Sequence, residues 1–65
     1  MSKTRIKELR EERKLSQEQL GKELGFKYNT ISNWERGTRE PDIQTIKKLA
    51  GFFNVSTDYL LGYVD

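Results

Sequence analysis

The connection between two short segments in the middle of the chain most constrains the fold. The segments LSQEQLGKEL and YNTISNWER each carry apolar residues at helical spacing, and only Gly25, Phe26 and Lys27 lie between them. A glycine just past the last apolar position is typical of a helix C-terminus. A turn of three or four residues containing glycine joins two helices at about 90–120°. The pattern therefore predicts a closely connected helix pair at residues 16–36.

The first two predicted helices have different boundary signals. Residues 3–13 form the first, starting at Lys3, because Ile6, Leu9 and Arg10 recur on one stripe at helical spacing. The second begins after Ser16, which is a suitable N-cap and forms a capping box with a glutamine three residues later. A glycine at position 21 leaves space on its inner face, which favours the close approach of another helix.

The third predicted helix runs from Lys27 to Arg36 and ends at Gly37. At 100° per residue, Ile31 and Trp34 fall on one side, which should be the buried side. The opposite side presents a polar and aromatic set, which consists of Tyr28, Asn29, Ser32, Asn33 and Arg36. This set is unusual for a solvated helix face, so we expect it to be aimed at a partner.

Two further helices complete an all-α pattern without a strand candidate. The fourth follows Pro41, with Asp42 as N-cap, and the fifth runs from Ser56 to Leu61. The predicted buried face of the fourth helix consists of Ile43, Ile46, Leu49, Ala50 and Phe53. The other predicted core residues are Ile6, Leu9, Leu15, Leu20, Leu24, Ile31, Trp34, Val55 and Leu60. We therefore expect residues 1–65 to form one compact five-helix domain.

Length and composition restrict the class of function. A chain of 65 residues fits one domain and offers little space for a closed pocket. It contains no cysteine and no histidine, so no disulfide can form and the usual nucleophiles, general bases and transition-metal ligands are missing. We expect a protein that is not an enzyme and that needs no metal or cofactor.

The charge is unevenly distributed along the chain. Residues 1–27 hold eight Lys and Arg against five Glu, a balance of +3, whereas residues 41–65 have a balance of −1. The first half therefore suits a polyanion, although ordinary solvated helix faces account for the charge equally well. The charged N-terminus does not resemble a signal peptide, and no apolar run approaches the roughly 18 residues of a membrane span. We expect a soluble, cytoplasmic protein.

The helix pair and its surroundings resemble the helix-turn-helix domains of phage repressors and Cro-type proteins. The resemblance extends over residues 6–62, through LSQEQLGKELGFKYNTISNWERGTREP and IQTIKKLAGFFNVSTDYLLG. It implies a lambda-repressor-like five-helix fold and a transcriptional regulator, a repressor, that binds an inverted-repeat operator in double-stranded DNA as a homodimer. It implies no cofactor, and no small-molecule ligand is evident from the sequence. In such domains the second helix of the motif lies in the major groove.

The resemblance assigns base reading to the outward face of the third helix. Tyr28, Asn29 and Asn33 match positions that read base edges, and Ser32 shares their face. An asparagine can bind adenine through N7 and N6 together, which discriminates by about 1–3 kcal/mol. Tyr28 departs from the small amides common in the family. Its ring could contact a thymine methyl group, or its hydroxyl could reach a phosphate.

The resemblance also implies phosphate contacts on both sides of the reading face. Gln17 lies at the start of the second helix, where free backbone N–H groups favour an anion. The full predicted set consists of Ser16, Gln17, Lys27, Thr30, Arg36, Thr38 and Arg39. The alternative for these residues is a solvated polar surface.

Two charged residues interrupt the apolar stripes. Arg10 lies in the stripe of the first helix and Glu35 in that of the third. A lone buried charge would cost several kcal/mol, and the family often pairs a basic with an acidic residue here. We predict a structural Arg10–Glu35 salt bridge that orients the third helix.

The end of the chain is more apolar than the fifth helix needs. Leu61, Tyr63 and Val64 could form the self-complementary patch of a two-fold dimer. They could equally pack back on Phe52 or lead into a further domain. A protein-interaction module on the same fold, with little DNA affinity, is the alternative to a DNA-binding regulator, because fold alone does not decide function.

Overall fold

The computed structural model describes residues 4–65. Within that range the chain forms five helices and no strand, which confirms the predicted all-α fold. The helices are α1 (Ile6–Glu12), α2 (Gln17–Leu24), α3 (Tyr28–Arg36), α4 (Ile43–Phe53) and α5 (Thr57–Leu60).

The predicted start of the first helix was placed too early. Lys3 lies outside the described residues, but Thr4 and Arg5 precede the helix. The Arg5 N–H donates to the Leu60 carbonyl oxygen at 2.8 Å. Its guanidinium lies 4.1 Å from the centre of the Tyr59 ring and donates to the Tyr59 carbonyl oxygen at 2.6 Å. These contacts with α5 hold the backbone in a non-helical conformation before α1.

The ends of the other helices agree with their sequence signals to within one residue. Ser16 accepts from the Gln19 N–H at 3.0 Å, and the Gln19 side chain accepts from the Ser16 N–H at 2.7 Å, which completes the predicted capping box. Asp42 accepts from the Thr45 N–H at 2.8 Å, and Ser56 caps α5 in the same way. Because each cap satisfies an otherwise unpaired N–H, these residues determine where the helices begin.

The core combines apolar residues from all five helices. The fully or almost fully buried hydrophobic side chains are Ile6, Leu9, Leu20, Leu24, Ile31, Trp34, Leu49, Ala50, Phe53 and Leu60. The predicted core residues Leu15, Ile46 and Val55 are partly buried against this cluster. No helix in residues 4–65 is long and apolar enough to cross a membrane.

Ile43 was wrongly assigned to the core. Its side chain is 70% exposed, whereas Thr45, which was not predicted, is buried on α4. At 100° per residue Ile43 lies about 90° from the centre of the buried stripe of α4. It is also the first residue of the helix. At that position no preceding turn covers the side chain, so an apolar residue at the edge of the stripe remains in solvent.

Candidate nucleic-acid interface

The turn between α2 and α3 is held by backbone contacts around two glycines. Gly25 adopts the left-handed conformation, with φ of 85°. The Gly21 carbonyl oxygen accepts from the N–H groups of Gly25 at 2.7 Å and Phe26 at 2.8 Å. A Cβ on Gly21 would overlap the Phe26 carbonyl group, so glycine is needed for this close approach. The predicted close approach at Gly21 therefore involves the turn that leads into α3.

Two apolar residues anchor α3 to the domain. Ile31 and Trp34 are buried, and the Trp34 ring packs edge-on against Phe26 with ring centres 5.0 Å apart. The opposite side is accessible, with Tyr28 61% exposed, Asn29 exposed, and Ser32 and Asn33 half-buried. The four predicted base-reading residues therefore lie on one outward side of α3. At 100° per residue they span an arc of about 140°.

The predicted ion pair between Arg10 and Glu35 is present. Arg10 Nε donates to Glu35 Oε2 at 2.6 Å and Nη2 donates to Oε1 at 3.1 Å, while Nη1 donates to the Leu15 carbonyl oxygen at 2.8 Å. The side chains are only 11% and 4% exposed. The hydrogen bond to Glu35 raises the pKa of Arg10, against the opposing effect of burial.

The ion pair also determines the charge of the outward side of α3. Glu35 is the only carboxylate in the nine residues of this helix. Because Glu35 is turned inward to Arg10, the accessible side of α3 carries no negative charge of its own. This arrangement suits a polyanionic partner.

Gln17 belongs to the same network, which the sequence did not predict. Its amide nitrogen donates to Glu35 Oε1 at 3.1 Å, so one amide hydrogen is engaged within the domain. A primary amide has two N–H donors, which leaves one for an external acceptor. As the first residue of α2, Gln17 also has a backbone N–H without an intrahelical acceptor.

The starts of α2 and α3 form a shared surface. Ser16, Gln17, Glu18 and Tyr28 line one shallow depression. Lys22 and Lys27 line an adjacent depression, together with Tyr28 and Asn29. The structure therefore brings predicted phosphate-contacting and base-reading residues side by side. Glu18 is an exposed carboxylate within this surface, and it would disfavour a phosphate placed next to it.

The residues after α3 fold back towards it. Gly37 adopts the left-handed conformation, and the Thr38 N–H then donates to the Asn33 carbonyl oxygen at 3.0 Å. Arg36, Thr38 and Arg39 are exposed. Of the other predicted phosphate contacts, Lys27 is exposed at the start of α3 and Thr30 is half-buried.

A contact among Asn33, Arg36 and Thr38 was not predicted. Arg36 Nη2 donates to Asn33 Oδ1 at 2.6 Å, and Thr38 Oγ1 lies 3.1 Å from the same oxygen. The spacing of three residues between Asn33 and Arg36 is a detectable signal for the first contact. The second contact depends on the reversal at Gly37, so its position could not be read from helical spacing.

Part of the positive charge in the first half of the chain serves the fold. Arg10 is paired with Glu35, and Arg5 is stacked on Tyr59. The guanidinium of Arg13 lies 5.1 Å from the centre of the Phe52 ring. These three arginines support the packing, but only Arg10 is neutralised by a carboxylate, so the local balance of +3 overstates the charge available to a partner by one unit.

The C-terminal residues proposed for dimerisation differ in exposure. Leu61 is half-buried, Tyr63 is 75% exposed and Val64 is 48% exposed. Phe52 was the alternative packing partner predicted for these residues, and its ring packs edge-on against Phe53, with ring centres 5.1 Å apart. Tyr63 and Val64 thus leave apolar surface in solvent next to α5.

The comparisons with known proteins agree with this geometry. A family model described as helix-turn-helix matches residues 6–60. The chain is 45% identical over 58 residues to the HTH-type transcriptional regulator ImmR of Bacillus subtilis (strain 168), covering 89% of this chain and 46% of that protein. It is 40% identical over 55 residues to the cryptic phage CTXphi transcriptional repressor RstR of Vibrio cholerae, covering 85% and 50%.

A third relative is a phage repressor. The chain is 39% identical over 57 residues to repressor protein C2 of Salmonella phage P22, covering 88% of this chain and 26% of that protein. The chain spans about half the length of the first curated relatives it matches. The family match over residues 6–60 and these relatives show that the chain belongs to the helix-turn-helix family, of the phage repressor and Cro-type kind.

Proposed function

We propose that this domain binds double-stranded DNA sequence-specifically and regulates transcription as a repressor, with α3 in the major groove. The observation that carries the proposal is the outward side of α3. It exposes amide and hydroxyl groups and, because Glu35 is turned inward, no carboxylate. The names of the relatives ImmR, RstR and C2 support a regulatory and repressor role.

The proposed contacts fall into two groups with different consequences. Base edges are read by Tyr28, Asn29, Ser32 and Asn33, which confer sequence preference. Phosphates are contacted from both ends of this face, by Ser16, Gln17, Lys27, Thr30, Arg36, Thr38 and Arg39. Phosphate contacts position the domain and make the affinity depend on salt. Gln17 can serve in this way through its second amide hydrogen and its backbone N–H.

The proposed functional unit is a two-fold dimer on an inverted repeat. A self-complementary contact through Leu61, Tyr63 and Val64 would cover the apolar surface beside α5. Two copies of α3 would then enter the groove about 34–36 Å apart, one turn of duplex. The absence of enzymatic activity, cofactors and small-molecule ligands is part of the same proposal.

In vitro selection from random duplex DNA at moderate salt tests the proposal. An enriched inverted repeat with half-sites one helical turn apart is the expected result. A single half-site would keep DNA binding but reject the dimer. If no sequence is enriched and binding is lost with salt on every duplex, the proposal fails, and a protein-interaction module becomes the better explanation of the α3 surface.

Variants separate the two groups of contacts. Asn29→Ala should lose preference at one or two base pairs with little change in the salt dependence. Gln17→Ala should weaken binding to all sequences alike, because a phosphate contact carries no sequence information. Equal effects of the two variants on every sequence would reject the assigned roles.

A further inference from the structure

The side-chain amide of Asn33 is held by two neighbours before any partner binds. Arg36 Nη2 lies 2.6 Å and Thr38 Oγ1 lies 3.1 Å from Asn33 Oδ1. A guanidinium can only donate hydrogen bonds, so the amide atom that faces Arg36 must be the oxygen. The Arg36 guanidinium therefore determines which way the Asn33 amide is turned.

The position of Thr38 does not depend on its own side chain. Its N–H donates to the Asn33 main-chain carbonyl oxygen at 3.0 Å, in the reversal created by the left-handed Gly37. Its hydroxyl also lies 3.2 Å from this carbonyl oxygen, but that oxygen already accepts from the N–H groups of Gly37 and Thr38, so the single hydroxyl hydrogen is directed to the side-chain oxygen. The backbone cap of α3 thus places a hydroxyl donor next to the amide oxygen.

The hydrogen-bonding capacity of the amide oxygen is then used within the domain. A carbonyl oxygen has two lone pairs, and Arg36 and Thr38 each donate towards it. The amide nitrogen has no hydrogen-bond partner among residues 4–65. Towards a partner, Asn33 therefore presents two N–H donors and no free acceptor.

This polarity distinguishes the two purines. Bidentate recognition of adenine needs both an acceptor for N6–H and a donor to N7. Guanine offers two neighbouring acceptors, O6 and N7, in the major groove. Building on the proposed function, we propose that Arg36 and Thr38 are positioning residues that make Asn33 select guanine rather than adenine. This replaces the adenine contact expected from sequence and gives both neighbours a role beyond phosphate contact.

The test compares matched variants on paired duplexes. Selection with the unaltered chain supplies a site, and Asn33→Ala identifies the base pair that Asn33 reads. Two duplexes are then compared, which differ only in having guanine or adenine at that position. The ratio of their affinities is measured for the unaltered chain and for Thr38→Val, Thr38→Ser and Arg36→Ala. Loss of a phosphate contact weakens both duplexes equally and leaves this ratio unchanged.

The expected ratio for the unaltered chain favours guanine by about five- to 150-fold, the range for a good base contact. Thr38→Val and Arg36→Ala should bring the ratio towards one, because the freed oxygen can accept from adenine. Thr38→Ser keeps the hydroxyl and should retain the guanine preference. Circular dichroism at increasing temperature verifies that the variants fold.

Each outcome decides a different point. A base other than guanine at the position read by Asn33, or an unchanged ratio in Thr38→Val and Arg36→Ala, overturns this inference and leaves the proposed function intact. If the unaltered chain enriches no sequence at all, the proposed function fails, and the inference fails with it.

Discussion

Removing one partner of the Arg10–Glu35 ion pair should destabilise the domain more than removing both. Arg10→Met leaves the Glu35 carboxylate, whose side chain is 4% exposed, with only the Gln17 amide as partner. Glu35→Leu leaves the Arg10 guanidinium with the Leu15 carbonyl oxygen as its hydrogen-bond partner and the Glu11 carboxylate as a neighbouring charge. Because breaking a buried pair leaves an uncompensated charge, each single change should lower the free energy of unfolding by about 3–5 kcal/mol.

That loss is large for a domain of this size. At the usual 0.05–0.15 kcal/mol per residue, the total free energy of unfolding is about 3–10 kcal/mol. Each single variant should therefore lose at least about a third of the stability of the domain at 25 °C. The double variant Arg10→Met/Glu35→Leu removes both charges and should be more stable than either single variant. It still leaves the amide of Gln17 and the carbonyl of Leu15 without these partners, at about 1 kcal/mol each.

Urea unfolding followed by the fluorescence of Trp34 measures these differences. Trp34 is the only tryptophan in the chain, is 5% exposed and contacts Phe26, so its emission should report loss of packing. Glu23→Leu is the control, because it removes an exposed carboxylate from α2 and should change stability by less than about 0.5 kcal/mol.

Two results would refute this reasoning. The first is a decrease of less than about 1 kcal/mol in the free energy of unfolding of each single variant, with an unchanged dependence of that free energy on urea concentration. A surface ion pair would behave in this way. The second is a double variant less stable than both single variants.

The remaining predictions concern the helix boundaries and packing. Gly21→Ala should lower stability by about 1–3 kcal/mol because its Cβ would meet the Phe26 carbonyl group. Gly51→Ala has open space around it and should raise stability by about 0.5–1 kcal/mol. Midpoint temperatures of thermal unfolding that shift in the same direction for both variants would contradict this. Ser16→Ala should lose about 1 kcal/mol in urea unfolding through loss of the capping box, and an unchanged midpoint argues against it. Hydrogen bonds from Thr45, of which the side-chain bond has the larger effect and the backbone bond the smaller, lower the pKa of Asp42 below its usual 3.8. The cap therefore stabilises α4 fully above this pH and loses its effect as the pH falls through the lowered pKa. Asp42→Asn should remove this part of the acid dependence, and an identical acid-unfolding curve would exclude it.

Helix boundaries were predictable where a bond spans only a few residues. Ser16 and Gln19 are three positions apart, and their two hydrogen bonds need nothing beyond the start of α2. The left-handed glycines that end α2 and α3 are equally local. The start of α1 was misplaced, because Arg5 is held by contacts with Tyr59 and Leu60 at the other end of the chain.

The outward placement of the proposed base-reading residues was predictable, but their hydrogen bonds were not. Helical periodicity placed Tyr28, Asn29, Ser32 and Asn33 on the outward side, and the structure has them there. Whether Asn33 presents an acceptor or a donor depends on Arg36 and Thr38, and the Thr38 contact requires the reversal at Gly37.

The sequence by itself determined the helical periods, the caps and the need to pair a charge in each of two apolar stripes. These follow from interactions within one or two helical turns and from the high free energy of an unpaired buried charge. Tertiary structure alone decided that Gln17 joins the Arg10–Glu35 pair and that Arg13 lies against Phe52. These outcomes depend on which helix faces meet, and periodicity within a single helix does not contain that information.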